Sequence, residues 1–189
     1  DMISDDLPDE AEKLMDCHAL ALAIGLTTDA GPGGVAKLAA RCAELEASVG
    51  IPVANASAAD HAALRKFGAK RVAVVTPFNA EIDQNVKANT EEAGFEVVAI
   101  KGTEAPSLPA ICETSIADIK SVFTTVAGSD CDAILQVGTA LPVVSLIAEL
   151  EAEHGKPVIA CNAAVYWQAL RMAGIDDQFG GYGRLFEEF

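Results

Sequence analysis

The sequence predicts a parallel α/β fold made of two related halves, and three of its features lead to that prediction. Short aliphatic segments alternate with amphipathic ones along most of the chain, which is typical of strands that alternate with helices in parallel sheets. The aliphatic segments are continuously apolar, as expected of strands buried on both faces. The segment at 43–53 also recurs at 148–158 with the same opening letters, AELEA, which indicates an internal duplication.

Each copy of the repeat predicts a unit of strand, helix, strand and helix. In the first copy, a strand over 19–24 precedes a helix over 35–48, and in the second copy a strand over 133–137 holds the equivalent place. Glycine at the helix end allows a left-handed residue, so Gly50 and Gly155 are predicted to end the two corresponding helices. The helix face expected in the core carries Leu38, Cys42 and Leu45.

The chain between the copies predicts further strands and helices. In order, they are a strand over 71–75, a helix over 80–93, a strand over 95–99, a loop over 101–112 and a helix over 115–126. We therefore predict one lobe from residues 1–70 together with 156–189, and a second lobe from residues 71–155. The duplication suggests that the two lobes are related by pseudo-twofold symmetry.

Composition excludes several classes of function. The formal net charge is −15, which argues against nucleic-acid and anionic-membrane partners because both require basic patches. No apolar run approaches the ~20 residues of a membrane helix and no signal peptide is visible, so a soluble, cytoplasmic protein is expected. The five cysteines form no CxxC pair and the three histidines are scattered, so neither a disulfide framework nor a metal site is predicted. The glycines at 31–34 lack the dinucleotide-binding spacing.

The predicted carboxyl ends of five strands carry turns that are rich in glycine, hydroxyl and amide groups. Ligands of parallel sheets bind beyond these ends, and backbone N–H groups there donate hydrogen bonds to carboxylates or phosphates. Simple helix capping is the competing interpretation of each turn, and Ser57 and Asn162 suit N-caps well. The turns lie at 25–28, 55–57, 76–79, 137–139 and 160–162.

Four segments resemble the aspartate/glutamate racemase superfamily, in particular its arylmalonate decarboxylase and maleate cis–trans isomerase branches. They lie at 75–78, 155–158, 167–171 and 181–186. The resemblance implies two Rossmann-like lobes with parallel sheets, and a strand–helix unit ahead of residue 1 that this chain lacks. It also implies reactions of small carboxylic or dicarboxylic acids without a cofactor, through an enediolate-like intermediate between the lobes. A homo-oligomer is a further expectation.

The resemblance also assigns residues to the site. Substrate binding falls to Gly25, Thr27, Thr28, Thr76, Phe78, Val137, Gly138 and Thr139. Members of the superfamily place a catalytic cysteine at one or both of two pseudo-symmetric strand ends, where this chain has Gly25, or a neighbour, and Val137. Cys161 is the only cysteine predicted at the carboxyl end of a strand, which makes it the candidate catalytic residue. A buried packing role is the alternative for Cys161.

Two functions from different classes therefore remain open. The first is an isomerase, racemase or decarboxylase of small carboxylic acids. The second is a non-catalytic or divergent carboxylate-binding protein that has lost the cysteines of the superfamily. A catabolic member such as those of the ectoine-utilisation branch is a third reading. Proton or CO2 turnover separates the first function from the second.

Overall fold

A computed structural model describes residues 6–26, 31 and 33–189. Within these residues, helices and strands alternate along the chain as the sequence predicts. Their order is α1 (Leu7–Met15), β1 (Leu22–Ile24), α2 (Gly34–Val49), β2 (Val53–Asn55), α3 (Ala56–Lys66), β3 (Arg71–Thr76), α4 (Ala80–Glu92), β4 (Glu96–Gly102), α5 (Leu108–Cys112), α6 (Ile116–Ala127), β5 (Ala133–Gln136), a 3₁₀ turn (Val144–Leu146), α7 (Ile147–His154), β6 (Val158–Ala160), α8 (Cys161–Met172) and α9 (Arg184–Glu188).

The strands form two sheets, and every strand pair is parallel. Strands β1 and β2 make a two-stranded sheet, whereas the four-stranded sheet has the order β4-β3-β5-β6. The main core surrounds the four-stranded sheet, and a smaller apolar cluster joins α1, α2 and β2. In the part of the chain that the structure describes, no helix is long and apolar enough to cross a membrane.

The repeat has the same local architecture in both copies, which confirms the predicted pair of related units. Glu46 of α2 accepts a hydrogen bond from the Val53 N–H at 2.8 Å, and Glu151 of α7 accepts one from the Val158 N–H at 3.0 Å. The glycines after the two helices, Gly50 and Gly155, have φ values of 73° and 66°. The predicted core face of α2 is confirmed, because it is buried at Leu38, Cys42 and Leu45.

Helices α3 and α8, which close the two units, pack against each other. Helix α8 also packs against β1, β2 and β6, so it joins the two sheets. Strand β6 pairs with β5 in the four-stranded sheet, although the predicted lobe boundary grouped residues 156–189 with the first lobe.

Three local predictions were wrong. Asn55 is the N-cap of α3, since its side chain accepts from the Ala58 N–H at 3.0 Å, and Ser57 is buried inside the helix. Asn162 is not a cap either, because α8 begins one residue earlier, after Ala160. The predicted loop over 101–112 is shorter than expected, since β4 extends to Gly102 and α5 occupies its last residues.

Candidate functional site at the strand ends

The carboxyl ends of β4, β3 and β5 meet closely, and two glycines permit the approach. A Cβ atom at Gly102 would lie 1.8 Å from the Phe78 carbonyl oxygen, and a Cβ at Gly138 would lie 2.5 Å from the Pro77 Cδ. Gly138 also has a φ of 110°, which side-chain-bearing residues rarely adopt. The turns after β3 and β5 are therefore in direct contact, as expected of adjacent parallel strands.

The turn after β3 uses its polar groups internally. The buried Thr76 hydroxyl donates to the Asp83 carboxylate of α4 at 2.5 Å and accepts from the Phe78 N–H at 3.1 Å. Burial raises the pKa of Asp83 from its ordinary value, and the hydrogen bond from Thr76 opposes that rise. Asn79 caps α4, because its side chain accepts from the Ile82 N–H. This turn therefore supplies a wall to the site, and neither the Thr76 hydroxyl nor the Phe78 N–H is left for a ligand.

The turn after β5 has the opposite character. The backbone N–H groups of Gly138, Thr139 and Ala140 have no hydrogen-bond acceptor among the described residues, and neither has the Thr139 hydroxyl. Gly138 is buried, and Thr139 and Ala140 are half-buried. Successive N–H groups left without acceptors at a strand end form a concave site for an anion.

The carbonyl groups of the same turn are tied back into the protein. The Gly138 carbonyl accepts from the Gln136 amide at 2.8 Å and from the Leu141 N–H at 3.2 Å. The Thr139 carbonyl accepts from the Asn162 amide at 2.8 Å. Asn162 lies in the first turn of α8, which has no side-chain cap, so the positive end of that helix lies beside the turn.

Cys161 lies next to this turn but does not face solvent. Its relative exposure is 1%, which agrees with the alternative of a buried packing role. The Cys161 Sγ lies 3.8 Å from the Oε1 of Gln136, in hydrogen-bond contact.

The remaining candidates divide between the two sheets. Val137 is buried in the main core, and Phe78 packs against that core from its edge. Gly25, at the end of β1, is exposed, and a Cβ there would meet nothing within 4 Å. Thr27 and Thr28 lie outside the described residues. The structure thus brings together the predicted residues of β3 and β5, namely Thr76, Phe78, Val137, Gly138 and Thr139.

Sequence reasoning missed the amide anchors Gln136 and Asn162, as well as the N–H of Ala140. One signal was present, because Gln136 is a polar residue at the end of the apolar strand over 133–136. Buried polar groups need hydrogen-bond partners, so a glutamine in such a strand indicates a specific contact. No group of three metal-binding side chains occurs among the residues that the structure describes.

Asn162 also lines a cavity of about 390 Å³, whose other walls include the rings of Tyr166, Phe179, Tyr182 and Phe186. Asn162, which holds the Thr139 carbonyl, therefore connects the strand-end turn with a space large enough for a small organic molecule. Together, the duplicated parallel α/β fold and a strand-end turn whose N–H groups lack acceptors are typical of α/β proteins that bind small ligands beyond the carboxyl ends of their strands.

Comparison with known proteins identifies the family to which the chain belongs. The family model described as arylmalonate decarboxylase matches residues 1–186, so the chain belongs to the arylmalonate decarboxylase family. The family relationship expected from the sequence is thereby confirmed, and so is the fold of two lobes with parallel sheets.

Three relatives show the range of similarity. The arylmalonate decarboxylase of Bordetella bronchiseptica is 28% identical over 194 residues, which cover 100% of this chain and 80% of the relative. A crystal structure of arylmalonate decarboxylase matches with a TM-score of 0.86 at 26% identity, over 98% of this chain and 82% of that one. A mutant of the maleate cis–trans isomerase of Nocardia farcinica, with a covalently bound succinylcysteine intermediate, shares the fold with a TM-score of 0.84 at 23% identity, over 97% and 78%.

Proposed function

We propose that this chain binds one carboxylate of a small dicarboxylic acid at the turn after β5 and removes the other carboxyl group without a cofactor. The observation that carries the proposal is the run of N–H groups at 138–140 without acceptors in the described part of the chain. The Thr139 hydroxyl adds a further donor. Backbone donors also explain how a chain with a net charge of −15 would hold an anion, because they act locally.

The proposed reaction places its developing charge on the bound carboxylate. Loss of CO2 breaks a carbon–carbon bond and leaves the electron pair on the carbon that carried both carboxyl groups. The retained carboxylate takes up that pair as an enediolate, so its oxygens gain negative charge. Donors already aimed at such oxygens stabilise the transition state by about 3 kcal/mol each. The substrate class is therefore a malonate, in which both carboxyl groups share one carbon.

The missing thiol favours decarboxylation over the other reactions of the family. A succinylcysteine intermediate, as in the Nocardia relative, requires a cysteine sulfur that bonds to the substrate. Here Gly25 and Val137 stand at the strand ends, and the Cys161 sulfur is buried against Gln136. Decarboxylation requires only a proton after the carbon–carbon bond has broken, and in this proposal water supplies it. Water has no fixed position on one face, so a chiral product would be racemic.

The test is turnover of methylphenylmalonate in deuterated water, followed by NMR and chiral chromatography. We expect release of CO2 and a product acid that carries deuterium in equal amounts of both enantiomers. Thr139→Val should weaken substrate binding by about 1–3 kcal/mol, the usual effect of losing a hydrogen bond to a charged group. Thr124→Val is the matched control, because that exposed hydroxyl bonds only to the Lys120 carbonyl of its own helix. Absence of both binding and turnover would refute the proposal.

A second candidate function is non-catalytic carboxylate binding. It is favoured by Gly25 and Val137 at the strand ends, because neither residue can transfer a proton. In that case the native chain binds malonate without releasing CO2. The variant Val137→Cys then tests whether a thiol at the end of β5 is all that is missing. Val137→Ala is its control, since it removes side-chain volume without adding a thiol. Activity in the cysteine variant alone would identify the native chain as a binding protein.

A further inference from the structure

The amide of Gln136 is a fully buried polar group at the candidate site, and its place calls for an explanation. It ends the apolar strand β5 and is only 1% exposed. Burial of an amide costs free energy unless both its ends are hydrogen-bonded. A residue of this kind at the base of the turn over 138–140 therefore has a structural or functional task there.

Only one orientation of the Gln136 amide fits both of its hydrogen-bond partners. The Gly138 carbonyl can only accept, so the amide NH2 of Gln136 must face it, at 2.8 Å. The amide oxygen then points the other way and needs a donor, and the Cys161 thiol lies 3.8 Å from it. The thiol therefore supports the amide orientation that the Gly138 carbonyl requires.

Because the peptide group is planar, the hydrogen bonds that hold the carbonyl groups of the turn also orient its N–H groups. In a planar trans peptide, the carbonyl of one residue and the N–H of the next point in opposite directions. When Gln136 holds the Gly138 carbonyl, it directs the Thr139 N–H away from itself. When Asn162 holds the Thr139 carbonyl at 2.8 Å, it directs the Ala140 N–H in the same manner.

We propose that Gln136 and Asn162 are positioning residues that aim the N–H groups of Thr139 and Ala140 at a bound carboxylate, and that the Cys161 thiol fixes the Gln136 amide. This inference rests on the proposed function, because it assumes that the turn over 138–140 binds the carboxylate. It gives Cys161 a task that needs neither exposure nor a change of ionisation state.

The test compares malonate binding by the native chain and its variants with isothermal titration calorimetry. Gln136→Met keeps the length of the side chain and removes both hydrogen bonds, so its dissociation constant should rise about ten-fold or more. Cys161→Ala should raise the constant by roughly three- to ten-fold, and Cys161→Ser, which retains a donor, should restore it to within about two-fold of native. Cys131→Ala is the control, because Cys131 is buried beside the opposite end of β5.

If Gln136 and Cys161 had only a structural role, their substitution would lower the melting temperature without producing these changes in malonate affinity. We therefore also record melting curves and the ¹⁵N–¹H shifts of Thr139 and Ala140 for every variant. Rescue by serine but not by alanine, with displaced shifts at Thr139 in Gln136→Met, supports the inference. Native malonate affinity in both Gln136→Met and Cys161→Ala would overturn it and leave the proposed function standing. A native chain that does not bind malonate overturns both.

Discussion

The two copies of the repeat share a scaffold and differ at the ends of their strands. In both, a glutamate of the first helix holds the N–H of a valine in the following strand, and a left-handed glycine ends that helix. In the first copy, Asn55 caps its own helix, whereas in the second the side chain of Asn162 holds the Thr139 carbonyl. Duplication thus preserved the residues that shape the fold, while a few positions after the strands determine which copy carries the site.

Gly138 and Gly25, which follow β5 and β1, should respond most differently to the same substitution. Gly138→Ala would place a Cβ 2.5 Å from Pro77 at a φ of 110°, and we expect a loss of about 3 kcal/mol or more. Gly25→Ala meets open space, so its free energy of unfolding should change by less than about 1 kcal/mol. Urea unfolding of both variants measures the difference, and equal effects would show that the two strand ends are equally open.

His61 on α3 should make the stability of the protein depend on pH, and the second copy has Tyr166 at the same spacing. Burial, with a smaller contribution from Arg65, lowers the pKa of His61 from 6.5 to about 4. The unfolded chain therefore binds a proton at higher pH than the folded one. Stability should fall as the pH drops from about 6.5 to 4, by an amount on the order of 3 kcal/mol.

The measurement is the free energy of unfolding between pH 7 and pH 4 for the native chain and for His61→Gln, which does not titrate. The variant should have the flatter profile. His18→Gln serves as the control, because it makes the same substitution at an exposed histidine. A native slope retained in His61→Gln would assign the pH dependence to other groups.

The two glutamates that hold the valine N–H groups should tolerate an amide to different degrees. Glu151 accepts from the N–H groups of both Val158 and Arg184, so in Glu151→Gln the amide NH2 must face one donor. We expect a loss of about 2 kcal/mol. Glu46 accepts from Val53 alone among the described residues, and Glu46→Gln should cost less than about 1 kcal/mol. Thermal unfolding of the pair tests this order, and a greater loss in Glu46→Gln would reverse it.

The smallest expected effects come from two asparagine substitutions, one of which should lower stability alone and the other malonate affinity alone. Asn55→Ala removes the cap of α3, which should cost about 1 kcal/mol and leave malonate affinity unchanged. Asn162→Ala removes no cap, so malonate affinity should fall while the free energy of unfolding changes by less than about 1 kcal/mol. Calorimetric titration and urea unfolding of both variants provide the four values. Weakened binding in Asn55→Ala would show that the first copy also contributes to the site.

The sequence was sufficient for most of the fold and for about half of the site. The repeat and the helical period of Leu38, Cys42 and Leu45 predicted the elements because these signals are local. The cap of α3 was misplaced by two residues, since the end of β2 depends on the pairing of Ile24 with Asn55. Gln136 and Asn162 were missed as anchors because the carbonyl that each holds becomes accessible only through tertiary packing. The availability of backbone N–H groups at 138–140 has no signature in side-chain type.

The carboxylate of Glu151 also has a consequence for hydrogen exchange. It holds one N–H in β6 and another at the start of α9, so displacement of this side chain exposes both amides together. We therefore expect the N–H groups of Val158 and Arg184, although distant in sequence, to exchange together with α7 as one cooperative unit. Val53 shares its acceptor with no second segment in the described part of the chain, and we expect it to exchange with α2 alone. The carboxylate of Glu151 thus links the C-terminal tail to the central sheet in the later repeat.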